Sequence, residues 1–230
     1  MVGPPPPGLP AGAASDLAEE TFLLAGRQVR VLRPRDGDAL LDELLDEDDP
    51  DEDRLPFWAE LWPSGTALAR AVAGRPLGGR RVLELGCGLG LVSVVAAAAG
   101  ASVLAVDRCP EAIAFTVANA ARNGVRLRTA VCPFEQPDRL LAEAPWDLVL
   151  AADVLYEARN TPVLLRLLPA LVGDAGEVWL ADPGRRMAER FLAGADADGW
   201  HRDPAEAEPA SVTIHRLRRR TGGRGDLDRP

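Results

Sequence analysis

The chain has 230 residues, 47% of them hydrophobic, which suffices for one sizeable α/β domain and is too apolar for a disordered chain. A formal net charge of -9 argues against nucleic acid as a partner. The 3 cysteines, Cys87, Cys109 and Cys132, are odd in number and form no C-x-x-C pair. That argues against a disulfide framework or a metal site, and for a reducing, cytoplasmic setting.

In chain order, residues 1–15 are rich in Pro, Gly and Ala and read as a disordered leader. The start, Met1 to Pro7, lacks the basic region and apolar run of a signal peptide. The main domain is expected over 16–219, with a flexible tail at 220–230. Thr21–Leu24 and Arg27–Leu32 flank Ala25-Gly26 and predict a β-hairpin. Asp42–Asp53 is a dense acidic run: either a solvated loop or helix end, or a lure for a basic substrate. Trp58 and Trp62 lie in the aromatic, proline-bearing stretch Leu55–Gly65 and are either core anchors or a lid. Ser64 is placed to cap a helix running through Ala73.

From Arg81 strands and helices alternate. Strands are expected at Arg81–Leu85, Ser102–Val106, Arg126–Val131, Trp146–Ala151 and Glu177–Ala181. Helices are expected at Gly90–Ala99, from Pro110 to the Asn123-Gly124 stop, at Asn160–Val172, and after Pro183-Gly184. Gly199–Arg202 and Ser211–Leu217 read as closing strands. The alternation predicts an α/β fold with a parallel sheet covered on both faces, and ligands at the carboxyl ends of its strands. Leu85–Val106 contains no charged residue and is long enough to span a bilayer, but Gly86, Gly88, Gly90 and Gly100 interrupt it. It reads as strand end, turn, buried helix and second strand, so no membrane partner is expected.

The chemistry concentrates in Glu84-Leu85-Gly86-Cys87-Gly88-Leu89-Gly90, a strand running into an acid and three alternating glycines. Gly86 and Gly88 let backbone approach a ligand closely, and Gly90 admits close helix–strand packing. A dinucleotide fingerprint needs Gly or Ala where this chain has Leu91, so the dehydrogenase form fails. Asp107, closing the next strand, suits two ribose hydroxyls, and its neighbour Arg108 belongs to the same shell. The combination points to S-adenosylmethionine. Glu84 is either an anchor for the glycine loop or a contact to the cofactor's amino group. Phe134 and Cys132 follow the third strand, where adenine would lie, and Trp62 is a candidate for a cation–π contact. Ala152, Asp153 and Tyr156 close the fourth strand where a methyl group would be transferred. There the open readings are a catalytic carboxylate and hydroxyl, or a cap and a core residue.

On these residues the sequence resembles the class I methyltransferases. That resemblance implies a Rossmann-like, seven-stranded, mostly parallel sheet with helices on both faces, here with an N-terminal β-hairpin extension. Asp153-Val154-Leu155-Tyr156 is similar to the Asp/Glu-x-x-Tyr/Phe motif of the branch containing small protein lysine methyltransferases. Pro56–Gly65 and Ala181-Asp182-Pro183-Gly184-Arg185 resemble the electron-transfer-flavoprotein β-subunit lysine methyltransferases. Bacterial relatives of that group carry a nicotinamide N-methyltransferase-like label. The resemblance implies a monomer that methylates a protein substrate bearing a target lysine, or a small-molecule amine. The alternatives are a small-molecule N- or O-methyltransferase and a non-catalytic module that only binds the cofactor. The chain itself contains no lysine, so self-methylation on lysine side chains is excluded.

Overall fold

A computed structural model of the chain describes residues 6, 16–37, 40–42, 55–203, 206–208 and 211–219, with backbone alone for 206–208. The expected leader, the acidic run and the tail lie outside the described residues, apart from Pro6 and Asp42.

Strands β1 (Leu17–Leu24) and β2 (Arg27–Pro34) form the expected antiparallel hairpin, which extends further on both arms than the turn signal alone indicates. Then come a 3-10 turn, Pro56–Ala59, and helix α1 (Pro63–Ala73). The alternating part follows: β3 (Arg81–Leu85), α2 (Leu91–Ala98), β4 (Ser102–Asp107), α3 (Pro110–Arg122), β5 (Arg128–Val131), α4 (Asp138–Ala142), β6 (Trp146–Ala152), α5 (Asn160–Leu171), β7 (Val172–Asp182) and α6 (Arg186–Ala197). Three strands close the fold, β8 (Trp200–Arg202), β9 (Glu206–Glu208) and β10 (Val212–Arg219).

The main sheet runs β5-β4-β3-β6-β7-β10-β8, seven strands in line, with the short β9 paired to β10. Pairings from β5 to β7 are parallel, and those made by β10 are antiparallel. The central strands are buried on both faces, as parallel strands under helices must be, and alternate between two cores. Val82 and Leu148 face a core shared with Leu68 of α1, Val92 of α2, Phe115 of α3 and Leu32 of the hairpin. Leu83 and Val149 face the other, with Leu164 of α5 and Phe191 of α6. Burying each such side chain contributes about 1.5–3 kcal/mol.

Three boundaries differ from the sequence expectation for identifiable reasons. Ser64 does not cap α1: Pro63 takes the first helical position, Trp62 becomes the N-cap, and no side-chain cap bond forms. Proline suits that position because it lacks the amide hydrogen the helix would leave orphaned. Helix α2 begins at Leu91, with Gly90 left-handed as its N-cap. Strand β7 begins at Val172, and its register against β6 shifts between Trp146 and Leu148, so the regular pairing starts at Glu177.

The hairpin is joined to α3 by side-chain amides. Asn119 accepts from Leu32 N at 2.7 Å and donates to Leu32 O at 3.0 Å. One helical turn later, Asn123 accepts from Arg30 N at 2.9 Å and donates to Arg30 O at 2.7 Å. Residues 30 and 32 present their backbone groups to the edge of β2 that β1 leaves unpaired. The two asparagines therefore act as a substitute strand there.

Candidate functional site

The chain steps outward from β3 to β4 and β5, then returns to β6 on the other side of β3. That reversal opens a crevice at the carboxyl ends of β3, β4 and β6. The glycine turn fills its floor. Gly88 has φ +51, and a Cβ there would stand 3.3 Å from the Trp58 carbonyl oxygen. Gly90 has φ +77, and a Cβ there would be driven to 2.6 Å from Thr116 Oγ1. Gly90 thus permits close packing on α3, where close packing on a strand was the expectation. Thr116 in turn donates to Gly88 O at 3.0 Å, and Asn119 donates to Leu89 O at 2.9 Å. Helix α3 holds the turn through these side chains.

Asp107 is buried, 8% exposed, and accepts from Gly88 N at 2.9 Å and Cys109 N at 3.0 Å. Burial raises its pKa, and those backbone donors oppose the rise. Each oxygen accepts one of these bonds and retains acceptor capacity toward the crevice. Glu84 shares a hydrogen bond with the Ser93 hydroxyl of α2. Its burial pushes its carboxyl up to about 8, so it is largely protonated at neutral pH.

Across β3, Asp153 follows β6 in a left-handed conformation, φ +56, which aspartate tolerates better than most non-glycine residues. Its N–H donates to Ala181 O of β7 at 2.9 Å. Its Oδ1 accepts from Arg185 Nε at 2.6 Å. Arg185 is held in turn, because Asp182 Oδ1 accepts from Arg185 N at 2.6 Å and from Gly184 N at 2.7 Å. Asn160 at the start of α5 donates to Val154 O at 2.8 Å and fixes the loop between them. Tyr156 is half exposed and packs edge-on against Phe57, with ring centroids 5.6 Å apart. Burial and the nearby Glu157 charge push its hydroxyl up to about 12, so it remains protonated.

These groups share one cavity of about 480 Å³. Of the residues expected from sequence, Trp62, Glu84, Gly86, Cys87, Gly88, Asp107, Arg108, Phe134, Ala152, Asp153 and Tyr156 line it. Gly90 and Cys132 do not. Gly90 serves the helix contact described above, and the Cys132 thiol, buried after β5, donates to Gln136 O at 3.4 Å. The two tryptophans divide the roles left open for them. Trp58 is a core residue 5.4 Å from the Phe115 ring that also lines the cavity, whereas Trp62 is 38% exposed at the mouth and donates to Phe57 O. Sequence reasoning missed Arg185, Glu157 and Asn160 as cavity residues. Arg185 lay inside a quoted motif, but nothing local indicated that its side chain reaches back to Asp153. Among the described residues no cluster suited to a metal ion occurs, and no helix is long and apolar enough to cross a membrane.

The sheet order, the glycine turn and the strand-end acids define the fold of class I methyltransferases. A solved 16S rRNA N2 G1207 methyltransferase from T. Thermophilus, in complex with AdoMet and guanosine, superposes with a TM-score of 0.62 over 90% of this chain and 51% of its own, at 14% identity. More narrowly, the lysine methyltransferase family model matches residues 58–195, and the chain belongs to that family. It is 36% identical over 139 residues to the electron transfer flavoprotein beta subunit lysine methyltransferase of Danio rerio, covering 58% of this chain and 52% of that protein. It is 32% identical over 176 residues to the EEF1A lysine methyltransferase 3 of Mus musculus, covering 73% of this chain and 75% of that protein. The match thus spans about half the length of the Danio rerio relative.

Proposed function

We propose that the protein transfers a methyl group from S-adenosylmethionine to a lysine side-chain amine of a partner protein. The observation that carries this reading is the meeting, in one cavity, of Asp107 with the glycine turn on one side of β3 and Asp153 with an exposed aromatic rim on the other.

The residues present fit the cofactor. Asp107 has acceptor capacity for ribose hydroxyls, and Gly86 and Gly88 bring bare backbone to the cavity wall beside it. Phe134 offers an apolar face at the end of the β5 side, and Glu84 and Arg108 complete the shell. When bound, the cofactor supplies a methyl group already activated on a sulfonium.

The protein's remaining task is to bring an unprotonated amine into line. A lysine side chain, with an ordinary pKa near about 10.4, arrives mostly protonated at neutral pH. Phe57, Trp62 and Tyr156, all exposed at the mouth, would strip water from its aliphatic stem, and desolvation favours the neutral amine. Asp153 would accept a hydrogen bond from the amine and aim it, Tyr156 would bound the slot, and water would carry the proton away. The exposed rim, bearing Glu60 and Glu157 beside the three rings, favours a protein acceptor over a small molecule.

The test is tritium transfer from S-[methyl-³H]adenosylmethionine into a lysate of the source organism, separated into protein and small-molecule fractions. Label on a discrete protein band is expected. Label confined to small molecules, or no label despite cofactor binding, overturns the proposal. Asp153→Ala should abolish transfer while the affinity for S-adenosylhomocysteine, read by calorimetry, changes less than about threefold. Asp107→Ala should weaken that affinity by tenfold or more, about 1.4 kcal/mol. Full transfer by Asp153→Ala would remove Asp153 from the mechanism.

A further inference from the structure

Asp153 poses a difficulty for the chemistry assigned to it. A lone carboxylate beside an amine stabilises the ammonium, and an ammonium has no electron pair with which to take a methyl group. The structure contains an answer. Arg185 Nε donates to Asp153 Oδ1 at 2.6 Å, while Asp153 is only 7% exposed. Asp153 Oδ2 receives no hydrogen bond from a described residue. Arg185 is itself anchored through its backbone to Asp182, and its side chain lines the same cavity.

Resting on the proposed role of Asp153, we infer that Arg185 is a positioning residue that cancels the Asp153 charge, so that the carboxylate orients the acceptor amine without holding it protonated. Oδ1 is spent on the guanidinium, and Oδ2 is left to accept an N–H from the neutral amine. The pair keeps the direction of a carboxylate and discards its net charge.

The surrounding charges make this cancellation matter. At the mouth, Glu60 lies 4.0 Å from Arg33, Glu157 accepts from Arg159 Nε, and Arg108 faces Glu157 at 4.0 Å and Glu135 at 3.5 Å. Asp107 lies at the deep end, where Glu84 and the Cys87 thiol are held neutral by burial. Asp182 backs Arg185 from β7, and Tyr156 keeps its proton. Glu60 and Glu157 keep these arginine partners when Arg185 is removed, whereas Asp153 has Arg185 as its ion-pair partner and would face the acceptor uncompensated.

The probe is the protein fraction of the lysate used above, and the readout is the initial rate of tritium transfer from pH 6.5 to 9.5. Wild type should show an acidic limb where the acceptor loses its proton. Arg185→Gln should move that limb up by about one pH unit or more, the size expected for exposing one opposite charge to the amine. Its rate should be down about tenfold at pH 7 and recover to within about threefold at pH 9.5. Arg185→Lys, which restores the charge, should return the wild-type profile. S-adenosylhomocysteine affinity, measured by calorimetry, should be unchanged in both variants and shows that they are folded. A deficit equal at every pH, in either variant, overturns the inference and leaves a purely structural salt bridge. An unchanged Arg185→Gln profile overturns it as well. If the wild-type enzyme labels no protein at all, the proposed function itself has failed, which is a different result.

Discussion

A protonated Glu84 is a carboxylic acid held where water cannot solvate its charge, and its effect on stability has a definite sign. Its folded value, about 8, lies above the ordinary 4.5, so the folded state keeps a proton that the unfolded state releases. The stability this contributes is complete below about 4.5 and is lost as pH rises through 8, a few kcal/mol in all. The melting temperature of the cofactor-free protein should therefore fall between pH 5 and pH 8. Glu84→Gln, which cannot ionise, should flatten most of that slope, and an unaltered slope would show that other groups set it. Gly90→Ala tests the neighbouring constraint. The new methyl would meet Thr116 at 2.6 Å with φ at +77, and a stability loss of about 2 kcal/mol or more is expected in urea. At this scale the sequence revealed the acids and glycines, because their types and spacing carry the chemistry. It did not reveal Arg185, whose partner lies 32 positions away. It also left Glu84 undecided, because whether this acid is buried depends on helix α2 lying over it.

Among elements, the hairpin depends least on its own pattern. Alternation and the Ala25-Gly26 turn foretold it, but its docking rests on Asn119 and Asn123. Asn119 sits in α3 and Asn123 is its C-cap, in a segment that otherwise reads as an ordinary amphipathic helix. Asn119→Ala would leave the Leu32 N–H and O and the Leu89 O without partners, at a cost of about 1–3 kcal/mol. Hydrogen exchange of the Leu32 amide should accelerate strongly in that variant. Asn123→Ala should expose the Arg30 amide and spare Leu32, and equal acceleration of both amides would mean that the hairpin undocks as one piece. Most of the alternating strands and helices were legible to within two residues, since each is a buried apolar run punctuated by Gly, Pro or Asn, whereas β7 starts five residues before its expected bound. The short α4, the 3-10 turn and β9 were not, because so few residues show no periodicity; the equally short β8 was read only as one of a closing pair after Gly199. Ser64 misled for a related reason: a serine before a helix signals a cap unless a proline has already taken the first turn.

In the molecule as a whole, the reversal of strand order at β3 separates two tasks. The glycine turn and Asp107 belong to β3 and β4, whereas Asp153 and Arg185 belong to the ends of β6 and β7. The two halves meet at a cavity without sharing a loop. Grafting residues 153–159 and 183–185 from a family relative with another acceptor should change which protein is labelled, with S-adenosylhomocysteine affinity held within about threefold. A collapse of that affinity in the graft would show that the halves are mechanically linked. The architecture is in this sense a fixed power supply with an exchangeable tool head. On the proposed function, rewriting two short loops would redirect the enzyme to a new target while leaving the half assigned to the methyl donor untouched.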